Sequence, residues 1–148
     1  FSMNCPFHTF LQKHGLREKS IQSDNNCQFH AIVDQCLQHG IVGWDHVSLR
    51  LASVQWLENN KHKKFDTTPI SELFDLNDAH IHNLKQYNRV WGDEASLFAM
   101  AQILKSHIKV YSSTLCIHDI YPLFCSPKYT FHIGYHNNIH YVSTIPCC

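Results

Sequence analysis

An α+β fold, helices packed on a small, mostly antiparallel sheet, is predicted by three observations. Apolar residues recur at helical spacing up to about residue 106; short β-branched and aromatic runs separated by turn residues follow; and no internal repeat or low-complexity tract interrupts the chain. At 148 residues, with 44% hydrophobic and 16% charged, the chain suffices for one hydrophobic core and hardly for two. One domain over residues 1–148 is expected. Its start at Phe1 and its Cys147-Cys148 end read as the cut ends of a longer protein.

The first helix is expected over 27–39. Phe29, Ala31, Ile32, Val33, Cys36 and Leu37 form its buried face and Gly40 ends it. A second is expected over 46–59, with Val47, Leu49, Leu51, Ala52, Val54, Trp56 and Leu57 apolar and Asn59-Asn60 as the stop. Residues 65–88 are polar and weakly periodic; Thr67-Thr68-Pro69 suggests a capped start for a short helix through Ser71, Leu73 and Phe74. Trp91-Gly92-Asp93-Glu94 opens a helix over 95–106 that is apolar nearly all round, from Leu97 and Phe98 to Met100 and Leu104, and so reads as central and buried. Strands are expected at 108–111, 115–121, 129–135 and 140–145.

Charge and composition narrow the function. Twelve basic residues balance twelve acidic ones, and the pI is near 7.3. Such a chain has no field to hold a polyanion, which disfavours nucleic acid and anionic membrane as partners. The one basic knot, Lys61-His62-Lys63-Lys64, reads as a solvated helix end. No apolar stretch reaches the ~20 residues of a membrane span, and the start lacks the pattern of a signal peptide. Seven irregularly spaced cysteines make an odd number, which fits a reducing, cytoplasmic setting better than a disulfide framework.

Chemistry concentrates at two places. Cys27 follows the turn-forming Ser23-Asp24-Asn25-Asn26 and enters the first helix; far along the chain, His140 begins the last strand after the loop Gly134-Tyr135-His136-Asn137-Asn138. A sulfur at a helix N-terminus sits at the positive end of the helix dipole, which is expected to lower a thiol pKa of about 8.5. A thiolate with a distant histidine suggests a thiol hydrolase.

Three blocks carry a resemblance to the ovarian tumour (OTU) family of cysteine proteases. Asp24-Asn25-Asn26-Cys27-Gln28-Phe29-His30-Ala31 resembles the family's Asp-Gly-Asn-Cys-x-Phe-Arg-Ala block. Trp91-Gly92-Asp93-Glu94 with its helix and strand resembles the middle block, and Asn138-Ile139-His140-Tyr141 the terminal His-Tyr block. The resemblance implies a papain-like OTU fold and a deubiquitinase that hydrolyses isopeptide bonds at the C-terminal glycine of ubiquitin through an acyl-enzyme thioester. It further implies Cys27 as nucleophile, His140 as general base and Asp24 as a support for the preceding loop, with backbone N–H groups of Asn25 and Cys27 facing the oxyanion. The Asp24 carboxylate reads equally well as a plain helix N-cap.

Two positions depart from the family pattern. Asn25 stands where glycine is usual, a place expected to need an unusual backbone conformation. Val142 stands two residues past His140, where many relatives place an Asp or Asn that orients the imidazole. Valine accepts no hydrogen bond, so the third member of the catalytic group is left among Asp24, Asn137 and Asn138.

Thirteen histidines invite a metal hypothesis that their spacing does not support: His80 and His82, or Cys116 and His118, lie two apart, and no Cys-x-x-Cys or His-Glu-x-x-His pattern occurs. No metal and no cofactor are expected. His30 reads as a helix-packing residue and His136 as a candidate for substrate contact, while Trp91, Phe98 and Met100 read as core. The partners implied are ubiquitin or polyubiquitin, or a ubiquitin-like modifier, met by a monomer in the cytoplasm, or in a host's cytosol if the owner is a virus or an intracellular bacterium; residues 65–88 are a place for ubiquitin contacts. A non-catalytic ubiquitin-binding scaffold of the same fold is the alternative, motivated by Val142.

Overall fold

The structure, a computed structural model, describes residues 5–86 and 92–147. Helix α1 (Pro6–Lys13) leads into strand β1 (Leu16–Lys19), and α2 (Cys27–Gln38) and α3 (His46–Asn60) follow. A small hairpin, β2 (Lys64–Phe65) with β3 (Thr68–Pro69), leads to α4 (Ile70–Leu73) and α5 (Asp78–Lys85). Then come α6 (Glu94–Leu104) and strands β4 (Ser106–Ser112), β5 (Ile117–Ile120), β6 (Tyr129–His136) and β7 (His140–Pro146).

The five long strands form one sheet in the order β1-β7-β6-β4-β5. Three of its four pairings are antiparallel and one, β4 with β6, is parallel. The sheet alternates as a two-faced strand must. Ile108, Val110, Phe131, Ile133 and Tyr141 face α2 and α6, whereas Tyr111 and Val142 face α1 through its Phe7 and Leu11. A further apolar cluster joins α3, α5 and the far side of α6 through Val54, Leu57, Ile81, Leu84, Phe98 and Ala99.

Helix α2 is bolted to the sheet by polar groups as well. Buried Gln35 donates to Ser143 Oγ and to the Thr144 carbonyl, both at 3.0 Å, and accepts from the His132 N–H at 2.9 Å. Asp34 accepts from Lys19 Nζ (2.6 Å) and from Ser143 Oγ (2.6 Å), tying β1 and β7 to the same helix.

Several expectations need correction. Leu37, expected on the buried face of the first helix, is 56% exposed; the helix turns it away from the sheet while Cys36 is fully buried. Val47 and Leu51 are exposed in α3, whose inner face is instead Leu49, Arg50, Ser53, Val54 and Leu57. The central helix ends at Leu104, because Lys105 takes a left-handed conformation (φ +50°) and Ser106 already belongs to β4. No threonine caps α4; its N-cap is Pro69, and Thr68 is paired in the hairpin. Trp91 and Asn88 lie outside the described residues.

Candidate active site

Cys27 is the first residue of α2 and only 4% exposed. The backbone N–H of Tyr141 points at its sulfur, 3.4 Å away, across 114 residues of sequence. Tyr141 follows His140, so this contact falls on the residue next to His140. His140 lies opposite His136 in the β6–β7 register and shares a sheet face with Val142. Phe7 of α1 stacks on the His136 ring at 5.1 Å.

The turn before the sulfur is held tightly. Asp24 does not cap the helix; the N-cap is Asn26, which makes no side-chain cap hydrogen bond. Asp24 Oδ1 instead accepts the Asn26 N–H at 2.8 Å, closing a turn, and its Oδ2 lies 3.5 Å from His30 Nε2. The His30 ring rests on His46, centroids 4.2 Å apart, and its buried Nε2 has no hydrogen-bond partner. Asn25 shows no unusual conformation: it is not among the residues with positive φ, so the glycine of the family pattern is not required here for backbone freedom. The Cys27 N–H, expected to face an oxyanion, donates to the Asp24 carbonyl at 3.2 Å.

A residue that the sequence reading passed over dominates this turn. Arg50 of α3, 1% exposed, donates through Nε and Nη2 to Asn26 Oδ1 (3.1 and 2.9 Å), through Nη2 to the Asn25 carbonyl (2.9 Å) and through Nη1 to the Leu84 carbonyl (3.1 Å). Its guanidinium lies over the Phe29 ring at 4.5 Å. The available signal was periodicity, since Arg50, Val54 and Leu57 fall at i, i+4 and i+7 on one helix face.

Gln28 links the turn to α6. Its Nε2 donates to the Asp93 carbonyl (3.1 Å) and its Oε1 accepts from Ser96 Oγ (2.5 Å). Asp93 and Ser96 form a capping box at the start of that helix, and any Cβ on Gly92 would fall on the Gln28 side chain. Beside Tyr141 a cleft of about 360 Å³ opens, walled by Leu97, Phe98, Val110 and Tyr135, with Glu94 and Asn138 on its lining.

Electrostatics reverse one expectation. Burial pushes the Cys27 thiol above its ordinary value, against the opposing hydrogen bonds from the Tyr141 and Gln28 backbone, and the Asp24 charge raises it further. The helix N-terminus is present, but loss of water around the sulfur outweighs it. Cys36, buried deeper along the helix, is pushed up to about 11 for the same reason.

The candidates for a third member fall into different places. Asn137 and Asn138 form the β6–β7 turn with left-handed φ of +55° and +58°; the Asn137 N–H donates to Ser113 Oγ and the Asn138 carbonyl accepts from the Tyr135 hydroxyl. Asp24 spends its carboxylate on the Asn26 N–H and on the side of His30. Val142 is packed with Phe7, Leu11 and Tyr111. Among the described residues, no group of three or more His, Cys, Asp or Glu side chains is placed to hold a metal ion, and no helix is long and apolar enough to cross a membrane.

Solved structures of low sequence identity share this architecture. The OTU domain of OTUD1 is 16% identical, with a TM-score of 0.72, 95% of this chain and 92% of that chain covered. An OTU domain in complex with ubiquitin is 22% identical (TM-score 0.67, 87% and 69% covered). An OTU deubiquitinase from Wolbachia pipientis wMel bound to ubiquitin is 11% identical (TM-score 0.61, 90% and 97% covered). No curated protein matches by sequence. Residues 22–144, which hold Cys27, His140 and the whole of the turn between Asp24 and the sulfur, match the OTU-like cysteine proteases, and to that family the chain belongs.

Proposed function

We propose that the protein is a deubiquitinase in which Cys27 attacks the carbonyl of the C-terminal glycine of ubiquitin. The observation that carries this reading is the 3.4 Å approach of the Tyr141 N–H to the sulfur, which sets Cys27 beside the residue next to His140. Because burial raises the pKa of the Cys27 thiol, proton removal by a neighbouring base is part of the reaction in this reading. In this reading His140 takes the Cys27 proton as the C–S bond forms. It returns that proton to the lysine nitrogen as the C–N bond breaks, and then activates a water that releases the acid from the thioester.

The ubiquitin-bound relatives support ubiquitin as the partner. We place the narrow channel for the glycine-glycine tail in the cleft beside Tyr141, and ubiquitin's folded surface against the α4–α5 region that covers much of residues 65–88. Ubiquitin conjugates as substrate would put the enzyme in the cytosol. Asp24 is assigned a supporting role in the turn, through its bond to the Asn26 N–H.

A scaffold that binds ubiquitin without cleaving it draws on two observations, the raised thiol pKa and the apolar Val142. A ubiquitin bearing a C-terminal electrophile separates the two readings. Covalent labelling of the wild type, lost in Cys27→Ala, is expected; binding without labelling would establish the scaffold.

A further inference from the structure

Among the described residues Arg50 is the only Lys, Arg, Asp or Glu that is fully buried. Burying a guanidinium is costly unless its donors are matched, and its fork is rigid where a lysine would be a point charge. Among the described residues, it donates to oxygens of Asn25 and Asn26, the residues immediately before Cys27. The Leu84 carbonyl fixes the guanidinium from the end of α5, and the Phe29 ring supports its face.

The effect on the turn follows from peptide planarity. The peptide joining Asn25 and Asn26 has its carbonyl held by Arg50 and its N–H held by Asp24 Oδ1. The next peptide has its carbonyl held by the His30 N–H (2.9 Å) and its Cys27 N–H directed at the Asp24 carbonyl. With both planes fixed at both edges, the direction in which Cys27 leaves the backbone is fixed too. Arg50 supplies its part of this hold from a separate helix, and grips the Asn26 side chain as well.

We propose that Arg50 is a positioning residue for acyl transfer, holding the Asn25–Asn26 peptide and the Asn26 side chain so that Cys27 is aimed, and contributing to kcat rather than to substrate binding. This rests on the hydrolase reading, because only an attacking sulfur needs aiming. A misplacement of about 1 Å at a reacting group can cost on the order of 100-fold in rate.

The test uses the 148-residue chain with Arg50→Met and Arg50→Lys, two readouts and a coupling check. Amide hydrogen exchange at Asn26 and Cys27 is expected to accelerate at least about tenfold while the amides of α3 and α6 stay within about twofold. On a fluorogenic ubiquitin C-terminal amide, kcat is expected to fall roughly 30- to 100-fold with KM within about threefold, and lysine not to restore it. Asn26→Ala combined with Arg50→Met is expected to cost less than the sum of the two single variants, because the two share a contact. If Arg50→Met does not fold, Arg50→Lys carries the same comparison. Unchanged exchange in the turn, acceleration spread evenly over the molecule, or a loss confined to KM would each overturn the proposal. A wild type that does not hydrolyse the ubiquitin amide defeats the deubiquitinase reading instead, and the exchange measurement then decides by itself whether Arg50 holds the turn.

Discussion

The two halves of the site are built differently. The turn carrying Cys27 is held by Asp24, Arg50 and Gln28, which reach it from its own loop, from α3 and toward α6. The strand carrying His140 is placed by backbone pairing with β6 and β1, by the apolar contact of Val142 with α1 and, three and four residues on, by side chains of α2 at Ser143 and Thr144. Around Cys27 the polar contacts fall on the turn residues themselves, whereas next to His140 the hold is strand pairing and apolar packing, with polar contacts only further along β7. The Cys27 side therefore answers to loss of single hydrogen bonds, and the immediate surroundings of His140 to changes in packing.

The largest effect that would sharpen this contrast is on the histidine itself. His140→Ala is expected to lower kcat by about 10²- to 10⁴-fold, the range of a general base, in steady-state hydrolysis of a ubiquitin amide, with the melting temperature little changed because the strand pairing does not use the ring. Removing the Gln28 amide should separate Cys27 from α6: Gln28→Ala leaves the Asp93 carbonyl without its Gln28 donor and the Ser96 hydroxyl without its Gln28 acceptor, and about 1–3 kcal/mol of stability is expected to go, read by urea unfolding, together with a drop in kcat.

Val142→Asn makes the opposite point. The family pattern suggests that a polar residue there would orient the imidazole, but position 142 is 1% exposed within the Phe7, Leu11 and Tyr111 cluster. We expect a loss of about 1–3 kcal/mol from the buried amide and no gain in kcat; a stable, faster variant would show that the histidine side is governed by orientation rather than packing.

A pH series adds a smaller signal at the helix shared by both halves. Burial pulls the Asp34 carboxyl upward, but hydrogen bonds from Lys19, Ser143 and Gln38, and the Lys19 charge, outweigh it and hold it below the usual carboxylate value. Its stabilisation is present above the unfolded value of about 3.9 and is lost as pH falls through the lower folded value. Asp34→Asn should thus unfold more easily than wild type at pH 7, the gap closing in acid. The smallest effect is at the hairpin tip: Asn138→Gly, at φ +58°, should shift stability by no more than about 1 kcal/mol, whereas alanine there costs about 1–2 kcal/mol.

Much of this was legible in the sequence, for identifiable reasons. Helices α2, α3 and α6 and strands β4 to β7 showed themselves because their apolar residues repeat at 3.6 or at 2. Helix α5, Asp-Ala-His-Ile-His-Asn-Leu-Lys, buries only Ile81 and Leu84, and β1, Leu-Arg-Glu-Lys, buries one residue of four; neither carries enough pattern to be seen. The pairing of Cys27 with His140 was legible as a resemblance, and the structure adds the contact of the Tyr141 N–H with the Cys27 sulfur. Arg50 was hidden because an arginine on a helix ordinarily means a solvated face, and its role emerges only when the Asn25-Asn26 turn and Leu84 arrive from two other segments. The thiol pKa was misjudged because the helix dipole is readable from sequence position, whereas the burial that overcomes it is a property of the folded core.

The family match begins at residue 22, yet β1 and α1 lie before it. Lys19 to Leu16 run along Ser143 to Pro146, and Phe7 and Leu11 roof Val142. A molecule trimmed to the matched span would display the naked hydrogen-bonding rim of the His140 strand next to an uncovered apolar floor. Such a rim is a template for further strands, so a shortened version should self-associate into sheets before it loses any catalytic side chain.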